Sequence, residues 1–162
     1  MSVASRNWSK AYIIVYFVPG NICRSPIAEA VFAKLIKERN LESQWSVDSA
    51  ALGPWHAGNK PDHRALSTLK KHNVPYDNRA RQITKEDFNK FDYIFGMDDD
   101  NMSSLERKAP ENSKAQLLLL GSFDPEGDRI IRDPYYDDGD AGFEKCYQQC
   151  MRSCSAFLDK LV

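Results

Sequence analysis

An unbroken apolar run, Ala11-Tyr12-Ile13-Ile14-Val15-Tyr16-Phe17-Val18, stops at Pro19-Gly20 and passes through Asn21-Ile22-Cys23-Arg24 straight into Ser25-Pro26 and helical periodicity. Residues that are apolar at every position, and mostly β-branched or aromatic, predict a central strand covered on both faces. A strand that enters a helix with so short a turn leaves few folds open. Gly20 allows φ > 0, so that successive N–H groups can converge on one point. Ser25 and Pro26 suit a helix N-cap and first helical position. Unpaired N–H groups and the positive end of the helix dipole then face the loop and favour an anion there. Arg24 adds a planar fork able to grip two oxygens at once. Local chemistry leaves an ordinary strand-to-helix turn with an incidental arginine equally open.

The rest of the chain alternates between the two kinds of element. Ile27, Ala30, Val31 and Leu35 recur at helical spacing, with Glu29, Lys34 and Lys37 expected to face water. Trp45 to Ala50 is expected as a second strand, paired parallel to the first. Residues 51–60, with Gly53-Pro54-Trp55 and Gly58-Asn59, read as loop. Pro61 is expected to open a helix with Ala65, Leu66 and Leu69 on its apolar face. Thr84 to Asp87 resembles a capping box ahead of a short helix ending near Lys90. Tyr93 to Met97 and Gln116 to Leu120 complete the expected strands, with a short helix between Asp100 and Lys108. Residues 121–142 lack periodicity and are rich in acids, and a loop of that length in a compact domain is usually functional. The final helix carries an apolar stripe of Phe143, Cys146, Tyr147, Cys150, Met151, Cys154, Phe157, Leu158 and Leu161. The pattern predicts an α/β doubly wound domain, a four-stranded parallel sheet flanked by helices. A polar segment, 1–10, is expected to precede one domain over 11–162.

Composition narrows the function. With 22 basic and 23 acidic side chains the net charge is -1, which argues against nucleic-acid or membrane-surface binding. The apolar run is far too short to span a bilayer. Three of the four cysteines, Cys146, Cys150 and Cys154, recur every fourth residue. That is one stripe of a helix rather than a disulfide framework, and a cytoplasmic location is expected. The Gly20 to Ser25 loop lacks the residues of a Walker A sequence. Asp137, Asp138 and Asp140 do not fit an EF-hand, and His56, His63 and His72 lack ligand spacing, so no metal or other cofactor is expected.

From Ile14 to the C-terminus the chain resembles the low-molecular-weight protein tyrosine phosphatases, whose loop reads Val-Cys-Leu-Gly-Asn-Ile-Cys-Arg-Ser-Pro. The matching residues are Gly20-Asn21-Ile22-Cys23-Arg24-Ser25-Pro26, Arg81 to Phe88 and Asp133-Pro134-Tyr135-Tyr136. The resemblance implies a strand order of 2-1-3-4, with the switch point beside the end of the first strand. It implies a thiolate that takes a phosphoryl group from tyrosine before water releases it. Arg24 matches the arginine that holds the phosphoryl oxygens, and Asp133 the acid that protonates the leaving phenolate. Gly20 to Ser25 would bind the phosphate, and Ser25 would steady the thiolate. Asn21 and Ser49 would brace the loop, and Trp55, Tyr135 and Tyr136 would wall the pocket.

The position of the nucleophilic cysteine is Val18, followed by Pro19. A missing nucleophile costs about 10⁴ to 10⁶ in rate. Pro19 has no N–H, and a charge-assisted hydrogen bond forgone there would weaken phosphate binding by roughly 1.5 to 3 kcal/mol. Cys23 adjoins Arg24, too close to it for the family's geometry. The expectation is a catalytically impaired or inactive relative that retains weak binding of phosphotyrosine-bearing protein, phosphate or sulfate. The alternative is an active phosphatase with another nucleophile, or an altered version of an active parent.

Overall fold

A computed structural model describes residues 9–15, 23–53 and 57–161, and for 9–15 the backbone alone. Its elements run β1 (Ser9–Val15), α1 (Arg24–Glu38), β2 (Trp45–Ala51), α2 (His63–Lys71), α3 (Asp87–Lys90), β3 (Tyr93–Gly96), α4 (Asp99–Lys108), β4 (Gln116–Leu119) and α5 (Ala141–Leu161). A 3-10 turn, Leu120–Phe123, directly follows β4. The four strands form one parallel sheet in the order β2-β1-β3-β4. This is the doubly wound α/β architecture, with the topological switch between β1 and β3.

Alternation along the strands divides the core. Tyr93 and Phe95 of β3, with Leu118 of β4, face α1, α2 and α5, whereas Ile94 and Leu117 face Phe88, Phe91 and Leu105 on the other side. The cysteine stripe behaves as the periodicity predicts: Cys146, Cys150 and Cys154 are buried. Phe157 is the hub of the larger core. Its ring lies 4.9 Å from that of Phe95, 5.1 Å from Phe123, 5.2 Å from Tyr93, 5.8 Å from Trp45 and 6.1 Å from Phe32.

Several local expectations are corrected. α1 begins at Arg24 with Cys23 in the cap position, so Ser25 does not cap it and Pro26 is its third residue. Proline is tolerated there because first-turn N–H groups have no intrahelical acceptor. Glu29 is buried rather than solvated, because Ser49, Asn78 and Tyr76 supply donors to its carboxylate. α2 is capped by Asp62, whose carboxylate accepts from the Arg64 N–H at 2.8 Å, and Leu66 is only half-buried. The helix after β3 is complete from Asp99, because the Asp98 carboxylate accepts from the Asn101 N–H at 2.8 Å. Ahead of α3, the Asp87 carboxylate accepts from the Thr84 N–H, one half of the capping box.

Replacing Phe157 by alanine removes the ring that five others contact. Urea denaturation is expected to show a loss of about 3 to 5 kcal/mol. A loss below about 1 kcal/mol would mean that the cluster does not carry the core.

Candidate active site

Parallel strands point their carboxyl ends to the same edge of the sheet, and the candidate residues gather there. α1 starts at this edge with Arg24, and β3 ends there at Gly96, two residues before Asp98. The Arg24 side chain is 2 % exposed. Its Nη1 donates to Asp98 Oδ2 at 2.7 Å and to the Ile131 carbonyl at 2.8 Å. Its Nε is buried with no hydrogen-bond partner among the described residues. A buried guanidinium N–H left unpaired is costly, about 1 to 3 kcal/mol or more, and calls for an explanation such as an anionic ligand. Asp98 is committed at both oxygens, one to Arg24 and one to the Asn101 N–H, so it fixes the fork rather than competing for a substrate.

The long segment after β4 returns to the same edge. Gly121 makes this possible, since a side chain there would collide with the Arg129 backbone. The Ile131 N–H then donates to the Met97 carbonyl at 2.9 Å, laying the segment beside the end of β3. Two residues on, Asp133 is half-buried and accepts from the Tyr135 N–H at 3.1 Å. Burial pushes the Asp133 carboxyl above the ordinary aspartate range, against the opposing pull of Arg24. A carboxyl that keeps its proton to higher pH is suited to protonate a leaving group.

Cys23 sits at the cap of α1 and is fully buried. Burial, then Asp133 and Asp62, raise its thiol far above the ordinary value, although Arg64 opposes them. A thiol held protonated in this way is a poor nucleophile. Ser25, also buried, lies in the first turn of α1. The Ser49 hydroxyl donates to Glu29 at 3.1 Å, and Asn78 reaches the same carboxylate at 3.0 Å. Ser49 therefore braces the second turn of α1. Tyr135 is half-buried and Tyr136 is 70 % exposed, their rings meeting edge to face at 4.9 Å. His72 is structural: it pairs with Glu144 and stacks on Tyr147 at 3.9 Å. His63 is exposed, close to Asp62. Val18, Pro19, Gly20, Asn21, Ile22, Trp55 and His56 lie outside the described residues.

The arrangement brings together Arg24 and Asp133 and adds Asp98 and Glu29, to which the sequence reading gave no site role. Asp98 had one signal, an acidic run at the end of a strand beside the switch point. Glu29 had none, since an acid in the second turn of a helix is usually solvated.

The raised Asp133 carboxyl has a consequence for stability. A carboxyl whose folded pKa lies above its unfolded value favours the folded state when protonated and disfavours it when ionised. Stability is therefore lost as pH rises from the unfolded value through the folded one. Asp133→Asn is expected to unfold at higher urea than the parent at pH 7, with the gap closing as pH falls through the raised pKa. An Asn variant no more stable at pH 7 would show that the carboxylate is not desolvated.

Comparison with known proteins matches residues 14–162 to the family described as low molecular weight phosphotyrosine protein phosphatase. The chain is 56 % identical over 140 residues to low molecular weight phosphotyrosine protein phosphatase 1 of Drosophila melanogaster, covering 86 % of this chain and 90 % of the relative. It is 52 % identical over 149 residues to the Homo sapiens low molecular weight phosphotyrosine protein phosphatase, covering 91 % and 94 %. The crystal structure of Primo-1 superposes with a TM-score of 0.88 at 52 % identity, covering 94 % of this chain and 97 % of that one. With that coverage, the chain belongs to the low molecular weight phosphotyrosine protein phosphatase family.

Proposed function

We propose that the chain is a phosphotyrosine-directed phosphomonoester hydrolase. Water, or a side chain other than Val18, attacks phosphorus as the P–O bond to the phenolate breaks, while Arg24 takes the phosphoryl oxygens at the start of α1 and Asp133 gives the phenolate its proton. Ser25, Cys23 and the Gly20-Asn21-Ile22 turn complete the phosphate cradle, and Trp55, Tyr135 and Tyr136 wall the ring. The observation that carries this reading is the Arg24 guanidinium, buried and anchored at Nη1, with its Nε unpaired among the described residues. A planar donor group held by protein at one end is preorganised for an oxyanion at the other, so little reorganisation is needed when charge develops. The names of relatives about 50 % identical to the chain favour hydrolysis as its activity.

A second reading is favoured by one residue. Val18 occupies the position that the resemblance gives to the nucleophilic thiol, and a hydrocarbon side chain cannot form a phosphoenzyme. On this reading the chain recognises phosphotyrosine-bearing protein, phosphate or sulfate with impaired turnover or none. Among the described residues no helix is long and apolar enough to cross a membrane. We place the protein's work in the cytoplasm, as the sequence suggests.

One assay separates the readings: release of phosphate from an aryl phosphate by the wild type and by Val18→Cys with Pro19→Leu. Hydrolysis as the native activity predicts a wild-type rate within about a hundredfold of the double variant, lowered about 10² to 10⁴ by Asp133→Asn. A recognition module predicts a gap of about 10⁴ to 10⁶. If both folded proteins are inert, the hydrolase reading falls and the decay of the site extends beyond the loop.

A further inference from the structure

Asp133 lies on the longest irregular segment of the described chain, between the 3-10 turn and α5. An acid that must meet a leaving group within hydrogen-bond reach needs that segment held still. The holding group comes from α2. Arg64 Nη2 donates to the Tyr135 carbonyl and Nη1 to the Asp137 carbonyl, both at 2.8 Å. Its Nε and Nη2 also reach the two oxygens of Asp62, both at 3.1 Å. The guanidinium carbon stands 4.6 Å from the Phe143 ring centre, over the first turn of α5.

These contacts engage four of the five guanidinium N–H groups, so Arg64 has little left to offer a substrate. What it grips is the turn that carries the acid. Tyr135, whose carbonyl Arg64 holds, donates its own N–H to Asp133, and the Asp137 N–H donates back to the Pro134 carbonyl. Asp62, the other partner, caps α2 and follows the 57–61 segment, which is itself tied to Ala80 by two backbone hydrogen bonds. Asp133, Asp62 and Arg64 all act on the Cys23 thiol, so the assembly sits beside the start of α1.

We propose that Arg64 is a positioning residue for the general acid. It fastens the Asp133-bearing turn to the N-terminus of α2, and so to the 57–61 segment that leads into that helix. The inference rests on the assignment of Asp133 as the acid. Lysine cannot substitute, because a single ammonium cannot straddle two carbonyls while pairing with a carboxylate at two points.

The test uses Arg64→Gln and Arg64→Lys in the full chain, with two readouts that require no turnover. Amide hydrogen exchange at Tyr135 and Asp137 is expected to accelerate roughly tenfold or more in both variants, while the Cys150 and Cys154 amides of α5 stay protected. NMR titration of the Asp133 carboxyl is expected to move down toward the ordinary aspartate value as water reaches it. The charged groups that act on Asp133, namely Arg24, Asp98 and Arg132, are retained in both variants, so the shift reports movement of the turn. Unchanged exchange and titration in the folded variants would overturn the proposal. Should Arg64→Gln lose α5 protection as well, Arg64→Lys decides on the same two readouts. Failure of the hydrolase reading would appear separately, as absence of aryl phosphate release by the wild type, and would leave these results untouched.

Discussion

A single guanidinium joins the parts of this molecule that matter for its chemistry. Arg24 opens α1, and through one nitrogen it holds both the carboxylate at the end of β3 and the Ile131 carbonyl of the acid-bearing segment. Partners 74 and 107 residues away in sequence meet there only if the sheet adopts the order β2-β1-β3-β4. The cost of burying a charged group is met by a paired carboxylate and a carbonyl. Among the described residues Nε has no partner, and an arginine so placed presents one edge of its fork to whatever binds at the helix start. The same position gives any bound anion the α1 dipole as well.

Around that arginine the supporting contacts work by two different means. On the β2 side, Glu29 is buried among neutral donors from Ser49, Asn78 and Tyr76, and burial raises its carboxyl above the ordinary range despite them. On the α2 side, charge meets charge, with Arg64 against Asp62. The first arrangement places a carboxyl among neutral donors under the second turn of α1 and fixes it by geometry. The second spends a full cation on backbone carbonyls of a segment that has no regular structure of its own. A side chain carried on such a segment depends on contacts made by other elements, because its own backbone supplies no ladder of hydrogen bonds.

Much of this was legible in the sequence, and what was hidden has a common cause. β2, β3 and β4 and the α5 stripe followed from apolar periodicity, which reports local exposure to a core. Arg24 and Asp133 were recognisable through the matched motifs. Glu29 was read as solvated, and Asp98 and Arg64 were given no role. Each of these acts through a partner at least 20 residues distant: Ser49 for Glu29, Arg24 for Asp98 and Tyr135 for Arg64. Periodicity carries no information about such pairs. The start of α1 was misplaced for a different reason. Ser25-Pro26 has the chemistry of a cap and first position, yet the helix begins one turn's fraction earlier because Arg24 is pinned by tertiary contacts, and those override local preference.

The account stands on Arg24 being an oxyanion ligand rather than a structural arginine. Titration of the wild type and of Arg24→Lys with inorganic phosphate, followed by NMR of the amides in the first turn of α1, tests this directly. Saturable shifts in the wild type, weakened at least about tenfold when the planar fork is replaced by an ammonium, are the predicted result. Absence of saturable binding in the wild type, or equal affinity in the folded Arg24→Lys protein, would contradict it.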